Sequence, residues 1–139
     1  METKPLIILI GDDEEFIRLS IRRLARHDEV HEACTGEELV EKAKRAVETN
    51  KPYSYILTDN KYGPGIEGIE AIRQIRDFDK TTPIFWHSGD VDENEGQRDK
   101  KIIAALSAGA THAMFKDYNN FSKFMQEQEA KLNQKVGAQ

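Results

Sequence analysis

One cysteine, Cys34, occurs in 139 residues. A disulfide within the chain is therefore excluded, and the composition suits a reducing cytoplasm. Cys34 itself reads as a small residue near a strand end. No apolar run approaches the roughly 20 residues that span a bilayer. The N-terminus, with Lys4 and then a short apolar run from Pro5, has no signal-peptide anatomy. Positive charge is not in excess either: the net charge of −5 argues against a general nucleic-acid binder, leaving only a local basic group at Arg98, Lys100 and Lys101. Internal repeats and Pro/Gly/Ser-rich linkers are missing, so residues 1–139 read as one domain ending in a short polar tail. With 38% hydrophobic and 32% charged residues, the chain can build one core under a solvated surface.

Short apolar runs alternate with amphipathic segments. Leu6–Ile10, Tyr55–Leu57, Ile84–Trp86 and Ala113–Phe115 suit buried strands, and "DEVHEAC" at 28–34 alternates as a sheet-edge strand does. Between them, Ile17, Ile21 and Leu24 share one helix face, and Leu39, Ala43, Ala46 and Val47 share another. Ile69, Ile72 and Ile75 mark a third helix. A fourth holds Ile102, Ile103 and Leu106 and stops at Gly109, and Phe121, Phe124 and Met125 mark a fifth. This alternation predicts an α/β fold: a doubly wound, five-stranded parallel sheet with five helices on its two faces.

Such sheets bind ligands beyond the carboxyl ends of their strands. Four strand ends here carry chemistry: Asp12 and Asp13 after the first, Asp59 after the third, Ser88 after the fourth and Lys116 after the fifth. Each has an ordinary explanation on its own. Asp12 with Glu15 fits a helix capping box, and Asp59 precedes a turn rich in Gly63, Pro64 and Gly65. Lys116 alone reads as a solvated lysine and Ser88 as a turn residue. Together they are more telling. Converging carboxylates repel one another, and a hard divalent ion such as Mg²⁺ removes that repulsion. Beside a cation, an Asp carboxylate is a competent nucleophile for phosphoryl transfer, with Lys and Ser groups to hold the phosphoryl oxygens.

The ordered set, from about residue 5 to 132, resembles the receiver domain of two-component response regulators; "HEACTGEEL" and "LSAGA" resemble its second strand-to-helix passage and the end of its fourth helix. The resemblance implies a flavodoxin-like strand order of 2-1-3-4-5. It implies Asp59 as acceptor of a phosphoryl group from a phosphohistidine on a sensor histidine kinase or phosphotransfer protein. It further implies Mg²⁺ held directly by Asp13, Asp59 and the backbone carbonyl of Lys61, with Asp12 acting through water. Ser88 and Lys116 would grip the phosphoryl oxygens and couple the chemistry to an output surface for a downstream protein, with a homodimer as a further option. Such a domain catalyses only its own phosphorylation and dephosphorylation.

The chain departs from the family pattern in several places. Asp117 stands where Pro usually follows the lysine, adding negative charge beside it. Ala113 replaces the aromatic residue that rotates on activation, and His112 beside it points to the opposite face. The loop after Asp59 and the segment "GDVDENEGQRDKK" are enlarged, so the sequence predicts an output that repositions residues 89–101. Lys61 and Asp90, each two positions beyond a site residue, are placed to pair across the mouth of the site. These departures keep open a pseudo-receiver that binds proteins without phosphorylation. An aspartyl-phosphate phosphohydrolase is disfavoured, because Glu14 and Glu15 stand where its second Asp belongs.

Overall fold

Strands and helices follow one another along the chain as β1 (Ile7–Gly11), α1 (Glu15–Leu24), β2 (Glu29–Ala33), α2 (Gly36–Glu48), β3 (Tyr55–Asp59), α3 (Gly68–Arg76), β4 (Ile84–Ser88), α4 (Glu95–Ala108) and β5 (His112–Phe115). The structure, a computed structural model, describes residues 6–89 and 94–115, together with Lys123, Gln126, Glu127, Ala130 and Lys131. All strands pair in parallel, in the order β2-β1-β3-β4-β5 that the family resemblance implies. Four helices, not the expected five, are delimited among the described residues. Lys123, Gln126, Glu127, Ala130 and Lys131 are helical and exposed, whereas Phe121, Phe124 and Met125 lie outside the described residues.

Period-two alternation divides the sheet's apolar side chains into two cores. Ile8, Ile10, Tyr55, Leu57 and Phe85 pack on one face with Ile21 of α1. Leu9, Ile56, Ile84 and Trp86 pack on the other with Leu39 and Ala43 of α2, Ile72 and Ile75 of α3, and Ala105 of α4. The same alternation runs on past the apolar residues. β3 and β4 extend two residues beyond the runs that mark them in the sequence, so Asp59 and Ser88 are strand residues and not loop residues.

The helix termini decide where the loops start. Thr35 caps α2 by accepting the Glu38 amide, and Asn94 and Gln97 form a reciprocal capping box on α4. The capping box expected from Asp12 and Glu15 does not form. The N-cap of α1 is Glu14, and the Asp12 carboxylate accepts the Glu14 amide at 3.0 Å instead. Two residues apart, they close a tight Asx turn that holds the Asp12 side chain back against the sheet. On α4, Ile102, Ala105 and Ala108 pack on the core while Ile103 and Leu106 are exposed, because at about 100° per residue they lie about 160° and about 100° from Ala105 at the centre of that face.

Candidate functional site

Asp12, Asp59 and His87 meet at the carboxyl end of the sheet, each offering a ligand atom within 4.8 Å of the others. Register explains the meeting. Asp59 pairs with His87 across β3 and β4, and Asp12 lies one residue beyond the Gly11–Thr58 pair of β1 and β3. The three continue, on the α1 side of the sheet, the alternation that buries Ile10, Leu57 and Phe85. All three are withdrawn from water: Asp12 and His87 are 0% exposed and Asp59 is 7% exposed. Two carboxylates held side by side out of water repel strongly, and a cation offsets that repulsion.

Backbone and neighbouring side chains fix the row. Asp12 donates its amide to the Ala33 carbonyl, its own carbonyl accepts Arg18 Nη1 at 2.9 Å, and Arg18 also reaches Glu32. Asp59 Oδ1 accepts the Asn60 amide at 2.8 Å, and Asn60 Oδ1 accepts the Trp86 indole N–H at 3.2 Å. Gly68 lets α3 close on the end of β3: a Cβ there would lie 2.0 Å from the Asp59 carbonyl oxygen. Its amide donates to the Asn60 carbonyl at 2.8 Å.

The loop after β3 is pinned by Tyr62. Its hydroxyl lies 2.7 Å from Thr58 Oγ1, and Thr58 in turn donates to the Asp59 carbonyl at 2.9 Å. Tyr62 therefore donates to Thr58. Burial pushes the phenol far above its usual range, so this proton stays in place; the nearby Asp59 and Asp12 charges act in the same direction. Gly11 makes the space, since a Cβ at that position would lie 1.9 Å from the Tyr62 hydroxyl. Leu39 of α2 closes the same cavity.

The expected site residues are distributed unevenly. Asp12, Asp59 and Ser88 are buried at adjoining strand ends. Asp13 is exposed, near Gly63 of the loop, and lies outside the three-residue cluster. Lys61 is exposed on the loop between Asn60 and Tyr62. Lys116, Asp117 and Asp90 lie outside the described residues, as do residues 91–93 of the enlarged segment after Ser88, whereas residues 95–101 of that segment form the start of α4. Ala113 is half-buried against the α3–α4 core, and His112 is exposed. His87 and Tyr62 escaped the sequence reading. The signal for His87 is a lone imidazole in the apolar run "PIFWHSGD", two residues from Phe85 and so on the Phe85 face. Tyr62 has no comparable signal, because its burial depends on a distant glycine.

Residues 8–127 match the family described as the response regulator receiver domain. The chain belongs to that family. Among curated proteins, the two-component response regulator ORR41 of Oryza sativa subsp. japonica is 36% identical over 94 residues, covering 65% of this chain and 71% of its own. Solved structures show the same fold at lower identity. A CheY-like receiver domain protein of Methanospirillum hungatei JF-1 superposes with a TM-score of 0.74 at 22% identity, covering 98% of this chain and 100% of its own. A chain from the CheX–CheY–BeF3–Mg complex of Borrelia burgdorferi gives 0.73 at 21% identity, covering 91% of this chain and 89% of that one.

As a receiver domain, the chain presents the acidic pocket at the expected end of the sheet, and its donors fit a divalent cation. Two buried carboxylates and an imidazole converge within 4.8 Å. Among the described residues no helix is long and apolar enough to cross a membrane.

Proposed function

We propose that this receiver domain is a phosphoacceptor: Asp59 takes a phosphoryl group from a phosphohistidine on a sensor histidine kinase or a histidine phosphotransfer protein. The observation that carries the reading is the placement of Asp59, a buried carboxylate fixed by the Asn60 amide and set beside Asp12 at the mouth of the sheet. An Asp59 carboxylate oxygen attacks phosphorus, the P–N bond breaks, and its electron pair returns to the donor imidazole, which takes up a proton. Asp12 and Asp59, with Asp13 at the exposed rim and the Lys61 carbonyl in the adjoining loop, are the groups that would hold a cation. Mg²⁺, when bound, neutralises charge on the transferring phosphoryl group. Ser88, buried at the end of β4, and Lys116 are assigned to the phosphoryl oxygens. The domain acts on itself and turns over no external substrate.

Occupancy of Asp59 shifts a population between two surfaces, one of which a downstream protein reads. Cytoplasmic location is supported by the single cysteine, and homodimerisation is a further option for the output. A second reading, protein binding without phosphorylation, is favoured by Ala113, which has no rotamer to switch. Incubation with a small-molecule phosphodonor and Mg²⁺, followed by intact mass measurement, separates the two. Wild type is expected to gain one phosphoryl mass, and Asp59→Asn none. No gain in wild type selects the second reading.

A further inference from the structure

His87 is the one member of the strand-end row that the phosphoacceptor chemistry leaves unused. Its place is set by register, between Asp59 on β3 and Met114 on β5, and its ring is fully buried beside two carboxylates. Clusters of exposed acids are common and bind nothing in particular. This cluster differs in being buried, in containing a nitrogen donor, and in presenting one atom from each of three strand ends within 4.8 Å.

We propose that His87 adds a nitrogen ligand to the receiver's cation pocket, so that Asp12, Asp59 and His87 together bind a first-row transition dication in preference to Mg²⁺. The inference rests on the reading of this pocket as a cation site and deepens it by naming the class of ion. Oxygen-only pockets suit Mg²⁺, which is hard and dehydrates reluctantly, whereas an imidazole donor favours borderline ions such as Co²⁺ and Zn²⁺. Metal–ligand bonds of about 2.0–2.2 Å place adjacent ligands of one ion about 3.0–3.6 Å apart. Side-chain shifts on the order of 1 Å therefore close a cluster whose donor atoms lie within 4.8 Å of one another onto an ion. Two carboxylates also neutralise the dication's charge, as a buried site requires.

Co²⁺ and Mg²⁺ titrated separately into the full chain, followed calorimetrically, test the preference. Wild type is expected to bind Co²⁺ at least about tenfold more tightly than Mg²⁺. His87→Val, which suits the apolar neighbours Phe85 and Met114, is expected to lose about tenfold or more in Co²⁺ affinity while Mg²⁺ affinity changes less than about threefold. His87→Gln keeps the side-chain volume and should lose Co²⁺ affinity in the same way. Should both variants misfold by circular dichroism, pulsed EPR of Mn²⁺-loaded wild type decides: an imidazole ¹⁴N coupling is expected, and its absence overturns the proposal. Equal Co²⁺ affinity in wild type and a folded His87 variant also overturns it. Intact mass keeps the two readings apart. Phosphorylation of Asp59 without a nitrogen signal defeats only this inference, and a nitrogen signal without phosphorylation under any ion defeats only the phosphoacceptor reading.

Discussion

Gly11 and Tyr62 stand 51 residues apart yet occupy one space, so residue 11 cannot gain a side chain while Tyr62 stays in place. A methyl group at residue 11 would lie 1.9 Å from the Tyr62 hydroxyl, and the phenol must leave its cavity to make room. Gly11→Ala is therefore expected to destabilise the fold by about 2–4 kcal/mol in urea unfolding, through overpacking and a lost buried hydrogen bond. Tyr62→Phe, which removes only the hydroxyl, should cost about 1 kcal/mol. A second residue, Asp79, contributes stability that depends on pH in the acid range. Burial pushes the Asp79 carboxyl up, but the Thr82 hydroxyl at 2.6 Å, the Thr82 and Thr81 amides and the Arg76 guanidinium outweigh it and hold the group below the usual carboxylate range. A depressed folded value means that the unfolded chain binds the proton more readily. The Asp79 contribution is complete above the unfolded value, near 4, and disappears as pH falls through the folded one. Asp79→Ala should cost about 2 kcal/mol at pH 7, and progressively less relative to wild type as urea unfolding is repeated toward pH 3.

At the scale of elements, the approach of α3 to the end of β3 places Asp59, the proposed acceptor. Gly68 is the first residue of α3, and the Asp59 and Asn60 backbone occupies the position its Cβ would take. Gly68→Ala must push α3 away from β3 or displace Asp59 itself. Stability and phosphorylation are expected to fall together, by about 2–3 kcal/mol and several-fold in rate, measured by urea unfolding and intact mass. A loss of stability with an unchanged phosphorylation rate would mean that α3 moves and Asp59 does not. The helices themselves were legible from their periodicities, since Leu39, Ala43 and Ala46 of α2 and Ile72 and Ile75 of α3 are all buried. The strand ends were less so. Asp59, His87 and Ser88 are polar, and polarity breaks the apolar signal that marks a strand even though the ladder continues through them. α4 shows the converse. Its exposed Ile103 and Leu106 look like core residues in one dimension, and only docking against the sheet turns them outward.

Across the whole molecule, Trp86 ties the core to the site. It is the only tryptophan, fully buried, edge-on to Phe115 with ring centroids 5.7 Å apart, and bonded through its indole N–H to Asn60, whose amide holds Asp59. Its fluorescence is expected to follow global unfolding with the same urea midpoint as far-ultraviolet circular dichroism, because both cores share the one sheet. Separate midpoints would show that the β4–β5 edge opens independently. Arg76 adds a link from α3 to that edge, donating Nε to the Gly109 carbonyl and Nη1 to the Asp79 carbonyl. The amino-acid sequence by itself determined the alternation of strands and helices and the delivery of acids to strand ends, because local periodicity and composition carry that information. Family resemblance supplied the strand order, and the sheet has it. Only the tertiary structure decided which of two adjacent acids is buried: Asp12 turns into the row and Asp13 turns out. It alone brought His87 beside Asp59 and seated Tyr62 over Gly11. Each of those outcomes depends on register between strands, or on contact between segments distant in the chain, and neither leaves a periodic trace in a single sequence.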